Sequence, residues 1–348
     1  MSKSKFLLGR LQYGIIARVS IFKVNFLKLV SRIIPANLAE YSLLESLKTD
    51  EKYWPFSNID MVYHIEKRIS KLQDPTYGNR HLHFRWVKIF NEMFSDLEKE
   101  SVRPSENFTY LYLGAGTSNI FSLPFLVYMA GASKCYVIEP DKEMKDFSIW
   151  HGLQNMLLRV CTGDVDSNFF VSKNEISEKI RSFFNGEAFL KCEDFRQYLD
   201  SSNIVFKNDY IEDVLDIPPR SIDLLSSRST LEHVSDYESC FDKLEMVMRK
   251  GGIMYHDIGF GSHTQINKFL MYYVEKESVS QKDILSLNEL RMSDFISSFT
   301  KRNFRCTVVR KNVLTDYNLD RAKLKERFRH YSHEDLLCER AVLVCEKL

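Results

Sequence analysis

Across residues 108–348, short apolar runs alternate with helix-period stretches, and this restricts the fold more than any other feature of the chain. FTYLYL (108–113), KCYVIEP (134–140), NIVFKND (203–209), SIDLLSS (221–227), GIMYHDIG (252–259), RCTVVRKN (305–312) and ERAVLVCEKL (339–348) read as seven strands. Between them, residues 118–132, 236–249 and 291–304 read as helices, the second closed by Gly251 and Gly252. Strands that alternate with helices predict a wound, mostly parallel α/β sheet.

One interval is too long for an ordinary crossover. About 60 residues separate the second and third strands, where a few turns of helix would suffice. Residues 177–200 have a helical pattern, so residues 155–202 read as a helical insert. Two readings stay open for it, a cover over the substrate or a scaffold decoration.

The loop RPSEN (103–107) separates this domain, residues 104–348, from a helical extension, residues 1–103. The first 39 residues hold no Asp or Glu but seven Lys or Arg. At about 100° per residue, Lys3, Arg10, Arg18, Lys28 and Arg32 share one face, opposite Leu8, Leu11, Ile15, Val19, Phe22 and Phe26. Residues 5–34 therefore form a basic amphipathic helix before Pro35. Such a helix suits peripheral contact with an anionic membrane face, or packing on the domain or a second subunit. The turn at 74–79 precedes His81 and His83, an H-x-H pair with no third ligand near in sequence, read as a pocket wall or a helix surface rather than a metal site.

Composition excludes several classes. A formal net charge of +1 gives no pull toward nucleic acid. No stretch of about 18 uncharged apolar residues is present, and no signal peptide is evident at the N-terminus. The seven cysteines form no C-x-x-C pair, so reduced thiols in a cytoplasmic protein are expected.

YLYLGAGTSN (110–119) runs from the first strand into G-A-G-T-S. A strand that ends in G-x-G lets backbone N–H groups approach a ligand, with a helix N-terminus behind them. Alone this pattern is equally a tight turn. Glu139 strengthens it: it ends the second strand about 23 residues after Gly116, where a carboxylate can accept from both hydroxyls of an adenosine ribose.

On these residues the chain resembles the class I S-adenosylmethionine-dependent methyltransferases, over roughly residues 108–348. YLGAGTS resembles that family's first motif, which implies that Tyr112, Gly114, Ala115 and Gly116 line the methionine end of the cofactor. VIEPD resembles the second, with Glu139 and Pro140 at the ribose, and NDYIED the third, with Asp209 and Tyr210 at the adenine. IDLLSSRSTLEHV resembles the fourth, with Ser227 at the strand mouth, and LEMVMRKGG resembles the helix and turn that follow. The resemblance implies a Rossmann-like, doubly wound seven-stranded sheet with a reversed last strand. Tyr112 departs from the pattern, because many members carry an acid there. An NAD-dependent dehydrogenase fits less well, since Asn119 stands where the third glycine of its fingerprint is needed.

Methyl transfer to oxygen gains from a base that titrates near neutral pH, and histidine suits that. Three histidines are candidates. His233 lies in LEHV, while His256 and His263 sit seven apart, within and after the fifth strand. GGIMYHDIGFGSH with NELRMSDFISSF resembles a methyltransferase subgroup associated with surface-polysaccharide biosynthesis. In that subgroup aspartates stand where this chain has Gly259 and Ser262. His256 is the first candidate base, His263 the second. Asp257 and Arg291 are candidate substrate-binding residues, and Asn288 and Glu289 lie beside Arg291. A divalent metal on His256, Asp257 and His263 is the weaker alternative, and no metal is expected.

The sequence thus predicts an enzyme that methylates an oxygen of a sugar or other small hydroxylated acceptor. A glycan acceptor at the inner membrane face would suit residues 5–34. The rival is a catalytically inactive methyltransferase-like assembly module.

Overall fold

A computed structural model describes residues 84–115, 121–140, 172–183, 199, 201–261, 272, 287–315 and 319–348. The amphipathic segment 5–34, the turn at 74–79, His81, His83, Gly116, His263 and most of the insert 155–202 lie outside these residues. The chain divides into two compact units. One holds residues 1–91, 117–129 and 143–202; the other holds residues 92–116, 130–142 and 203–348.

The second unit contains the sheet. Its strands are β1 (Thr109–Leu113), β2 (Lys134–Ile138), β3 (Ile204–Lys207), β4 (Ile222–Arg228), β5 (Met248–Gly259), β6 (Phe304–Val313) and β7 (Cys338–Lys347). They lie in the order β3-β2-β1-β4-β5-β7-β6. The pairs β1–β2, β1–β4, β2–β3 and β4–β5 are parallel. β7 runs antiparallel to both β5 and β6, so the last strand is reversed. The four central apolar runs are buried on both faces, as strands of a covered parallel sheet must be. The chain order reverses beside β1, between β1 and β4. Ligands of such sheets bind outside the strand carboxyl ends at that point.

In chain order the helices are α1 (Phe84–Lys99), α2 (Ser122–Met129), α3 (Lys173–Phe183), α4 (Tyr237–Val247), α5 (Met292–Lys301) and α6 (His333–Leu337). α4 starts where Asp236 accepts from the Ser239 N–H at 3.2 Å, and α5 where Asp294 accepts from the Arg291 N–H at 2.7 Å. Both are charge-assisted caps worth about 1 kcal/mol each. α5 lays Phe295 and Phe299 against Phe241 of α4, with Phe299 and Phe241 4.7 Å apart, and Phe304 closes the same cluster. Burial of such rings contributes about 2–3 kcal/mol apiece. From the α1 side, Asp96 accepts from the Tyr255 hydroxyl at 3.0 Å and pairs with Arg310 at 2.8 Å.

The expected closure of the second helix by glycines does not occur. α4 ends at Val247, and Gly251 and Gly252 lie inside β5, where the register shifts between Ile222 and Leu224. Gly251 takes φ +74°, which a glycine adopts freely.

In the first unit, Pro124 occupies the third position of α2, where its missing N–H leaves no helical bond unmade. Phe183 of α3 meets the edge of Phe125 at 5.3 Å, and Lys179 donates to the Tyr128 carbonyl at 2.8 Å.

The cysteine expectation is corrected in part. Cys306 and Cys345 stand directly opposite in β6 and β7, 4.1 Å apart at Cα, and form a disulfide. Antiparallel partners come this close only by strand register, a relation that sequence spacing does not display. Cys135, Cys240 and Cys338 are buried and form no disulfide. Among the described residues, no helix is long and apolar enough to cross a membrane, and no cluster of His, Cys, Asp or Glu could hold a metal ion.

Candidate functional site

The carboxyl ends of β1, β2 and β3 carry six of the expected cofactor residues, Gly114, Ala115, Glu139, Pro140, Asp209 and Tyr210. Gly114 follows β1 with φ +69°, and its N–H donates to the Ile138 carbonyl at 2.9 Å. A side chain there would run into Thr230, whose Cβ would stand 2.7 Å from the new atom. The Thr230 hydroxyl lies 3.2 Å from the Gly114 carbonyl and 3.1 Å from the Arg228 carbonyl, which fixes the turn after β4 against the turn after β1. Conformation and space both require glycine here. Ala115 is buried next to it.

Glu139 is buried at the end of β2, its N–H donating to the Lys207 carbonyl at 3.0 Å. The Asn208 side-chain amide donates to the Glu139 carbonyl at 2.7 Å and ties β2 to the end of β3. Pro140 is half-buried beside it. Asp209 is exposed and accepts from the Tyr210 N–H at 3.0 Å, and Tyr210 is 57% exposed, a large ring left uncovered. A carboxylate at β2, a second at β3 and an open aromatic face beside it form an acceptor set and a stacking surface of the kind an adenosine takes.

Tyr112 does not stand at this mouth. It is 2% exposed, paired with Val137 and Ser226 inside the sheet, and its ring stacks on Tyr110. Ser227 is also turned away: its hydroxyl lies 2.8 Å from His256 Nδ1.

The acceptor-side candidates are mostly engaged in packing. His256 is fully buried in β5, stacked 5.3 Å from Phe299 at an interplanar angle of 7°. Burial drives its pKa down to about 3, so the ring stays neutral over the working range. Its Nε2 is buried with no hydrogen-bond partner. This placement weighs against His256 as an acceptor-facing base. Asp257 pairs with Arg228 at 3.1 Å and with Arg340 at 2.5 Å.

Arg291 is fully buried. Its guanidinium donates to the carbonyls of Phe260 at 2.9 Å, Asp335 at 3.0 Å, Leu336 at 3.3 Å and Cys338 at 2.8 Å, between the rings of Phe260 and Tyr272. It ties α6 and the start of β7 to the end of β5, so its donors are spent within the fold rather than offered to a substrate. Asn288 donates to the Leu231 and Val234 carbonyls at 2.6 and 3.0 Å, and Glu289 is buried near Lys325 at 3.5 Å. His233 is exposed on the short 3-10 turn Leu231–His233 after β4.

The residue that sequence reasoning passed over is Glu232, beside His233. It is 4% exposed, its Oε1 accepts from the Gly259 N–H at 3.1 Å, and its Oε2 is buried with no partner. Burial pushes its carboxyl up to about 7, although its own backbone, the Gly259 N–H and Arg340 oppose the shift. A signal was present: an acid flanked closely by Leu231 and Val234 in a turn that follows a buried strand.

A methyltransferase-domain family model matches residues 188–256, which span β3, β4, α4 and most of β5. No curated protein matches. Among solved structures, the YcgJ protein of Bacillus subtilis is 13% identical, with 74% of this chain and 97% of that one covered at a TM-score of 0.40. A putative S-adenosylmethionine-dependent methyltransferase from Listeria monocytogenes is 12% identical, with 72% and 94% covered at a TM-score of 0.37. Haemonchus contortus phosphoethanolamine N-methyltransferase 2 is 12% identical, with 74% and 52% covered at 0.39. The sheet order with its reversed last strand, together with the domain match from residue 188 into β5, supports an S-adenosylmethionine-dependent methyltransferase with S-adenosylmethionine as its cofactor.

Proposed function

We propose that the chain methylates a hydroxyl oxygen of a sugar or other small hydroxylated acceptor. The observation that carries this is the division of labour along one sheet edge. Gly114, Glu139, Asp209 and Tyr210 lie on the β1, β2 and β3 side, while titratable side chains gather where β4 and β5 end. Bound there, the cofactor supplies a methyl group on a positively charged sulfur, which an oxygen can attack once relieved of its proton. Glu139 would hold the ribose, and Asp209 with Tyr210 the adenine. The chain's remaining work is to position the hydroxyl and to take its proton.

A histidine is the sequence-based expectation for the proton acceptor. With His256 turned onto Ser227 and Phe299, the histidines left to that role are His233 and His263. A glycan acceptor, including a lipid-linked precursor, would suit the basic segment 5–34 held at an anionic membrane face. Liposome flotation with and without residues 1–35 tests that part, and equal behaviour of the two forms removes it.

Calorimetry with S-adenosylhomocysteine tests the cofactor site, and no heat at millimolar ligand refutes it. A second reading, a methyltransferase fold that serves an assembly without transferring methyl groups, draws on the packing of His256, Asp257 and Arg291. Binding of S-adenosylhomocysteine with no methyl transfer to any acceptor would favour it.

A further inference from the structure

We propose that Glu232, rather than a histidine, takes the proton of the acceptor hydroxyl. The assignment rests on the hydroxyl-methylation reading above and replaces the histidine in it. It is argued from position, from orientation and from one unmet hydrogen bond.

Position comes first. Glu232 lies on the turn that leaves β4, and its partner Gly259 ends β5, so its carboxyl bridges the carboxyl ends of β4 and β5, β4 being the strand that pairs with β1. The crevice of a doubly wound sheet opens along this edge. The same turn holds Thr230 against Gly114, so the carboxylate and the cofactor loop are braced by one short segment.

Orientation comes next. The Gly259 N–H fixes Oε1 at 3.1 Å, and the Asn288 N–H holds the Glu232 carbonyl at 2.7 Å. A Cβ at residue 259 would stand 3.0 Å from Oε1, so glycine there lets the carboxyl approach the strand end closely. Side chain and backbone are thus both pinned, which leaves Oε2 in a set direction.

The unmet bond is the third observation. Oε2 is buried and has no partner, although a carboxylate oxygen accepts up to two hydrogen bonds. Burying such an atom unpaired is strongly unfavourable, and a hydroxyl donor relieves it. Charged neighbours face the carboxyl from two strands. Arg340 on β7 favours its ionised form and Asp257 on β5 opposes it, while Arg228 on β4 pairs with Asp257. The Glu232 backbone and the Gly259 N–H also favour the ionised form, and burial outweighs them: the group can hold a proton or release it close to neutral pH.

The proton step balances simply. The acceptor O–H bond breaks and its proton passes to Oε2. The bonding pair stays on the oxygen and forms the new bond to the methyl carbon, as the carbon–sulfur pair returns to sulfur. The protonated carboxyl then loses its proton to solvent when product leaves.

The test compares the full-length wild type with Glu232→Gln and Glu232→Asp. The amide keeps an oxygen for the Gly259 N–H but cannot take a proton. The first readout needs no acceptor: the protonated-carboxyl infrared band of Glu232, present in the wild type, titrating near neutrality and missing in Glu232→Gln. The second is tritium transfer from [methyl-3H]-S-adenosylmethionine into a protein-free extract of cells lacking this chain, from pH 5.5 to 9. The wild-type rate should rise with the infrared midpoint. Glu232→Gln should lose about 100-fold or more and the pH limb with it, as removal of a general base does. Glu232→Asp should recover at least tenfold of that loss, and S-adenosylhomocysteine affinity should stay within about twofold in all three.

Three outcomes overturn the assignment: Glu232→Gln retaining more than a tenth of the rate, a pH limb that persists in that variant, or a carboxyl midpoint below 5. A wild type that binds S-adenosylhomocysteine but labels nothing in the extract overturns the hydroxyl-acceptor reading, and the assignment falls with it. A wild type that binds no S-adenosylhomocysteine overturns the cofactor site instead.

Discussion

Glu232 should make the protein measurably less stable above neutral pH, and Glu232→Gln should remove that loss. Its carboxyl is pushed from an ordinary 4.5 up to about 7 by burial. The folded state therefore holds a proton that the unfolded chain gives up, and its contribution is complete below pH 4.5 and lost as pH rises through about 7. At roughly 1.4 kcal/mol per pH unit, the full difference is about 3 kcal/mol. A glutamine carries no such dependence. The stability of Glu232→Gln relative to wild type should therefore rise between pH 4.5 and 7 and level off above. Urea unfolding read through hydrogen exchange of β4 and β5 amides, at half-unit pH steps, measures that difference within the sheet unit. A flat difference between pH 5 and 8 would refute the burial argument, because a carboxyl with an ordinary pKa gives no slope in that window.

Four further outcomes follow from the geometry. Glu139→Ala should weaken S-adenosylhomocysteine binding by about 1–3 kcal/mol in calorimetry, the loss expected for a charged hydrogen-bond acceptor, with the fold intact by circular dichroism. Arg291→Met should destabilise the sheet unit by about 3–5 kcal/mol in urea, since it removes a buried cation from four carbonyl partners, and a selective change in acceptor KM without loss of stability would contradict the packing role. Non-reducing peptide mapping should recover Cys306 linked to Cys345, and Cys306→Ser should lower stability by about 2–4 kcal/mol, as expected for a closed loop of 39 residues. Gly114→Ala should cost both stability and cofactor affinity, because the positive φ and the Thr230 side chain each exclude a methyl group; unchanged affinity would detach this turn from the cofactor.

The fold was largely legible in the sequence because its signals are local. Runs such as YLYL and YVI are apolar on both faces, and only a covered strand tolerates that. Strand edges were read to within a few residues, except β5. There Gly251 and Gly252 carry the standard sign of a helix end but sit within an extended segment. What sequence does not show is which way a side chain leaves a strand that is buried on both sides. Ser226 meets Tyr110 at 2.5 Å on one face, while Ser227 meets His256 on the other. Either serine suits a strand mouth in one dimension, and the pleat alone assigns them. Arg291, a candidate for substrate binding by sequence, is found in packing for a related reason. Arginine in a polar run such as NELRMSD reads as exposed, and only the fold brings the carbonyls after α6 around it. Glu232 was obscured by its neighbour, since in LEHV the histidine draws attention as the group that titrates near pH 7 without perturbation.

Burial reverses that order, and the reversal has consequences for how the site works across pH. His256 and Glu232 both lie where β4 and β5 pair or end, and both are desolvated, but desolvation disfavours the charged form of each. The histidine is thereby fixed as neutral and becomes a hydrogen-bonding wall for Ser227. The carboxyl is thereby brought into the range where a base is useful. Their effects on stability have opposite signs. The His256 contribution is complete above about 6.5 and is lost as pH falls toward about 3, whereas the Glu232 contribution is lost as pH rises toward about 7. Between pH 4.5 and 6.5 the two slopes oppose each other, so wild-type stability should vary little there even though two buried groups are changing their linkage. Substituting either one exposes the slope of the other. Glu232→Gln should therefore lose stability steeply on acidification below pH 6.5, and a His256→Phe variant, with its ring stack on Phe299 preserved, should lose it on raising the pH toward 7. If both variants keep the flat wild-type profile, neither group is buried as charge-excluding, and the argument that separates the structural histidine from the working carboxylate fails at its root.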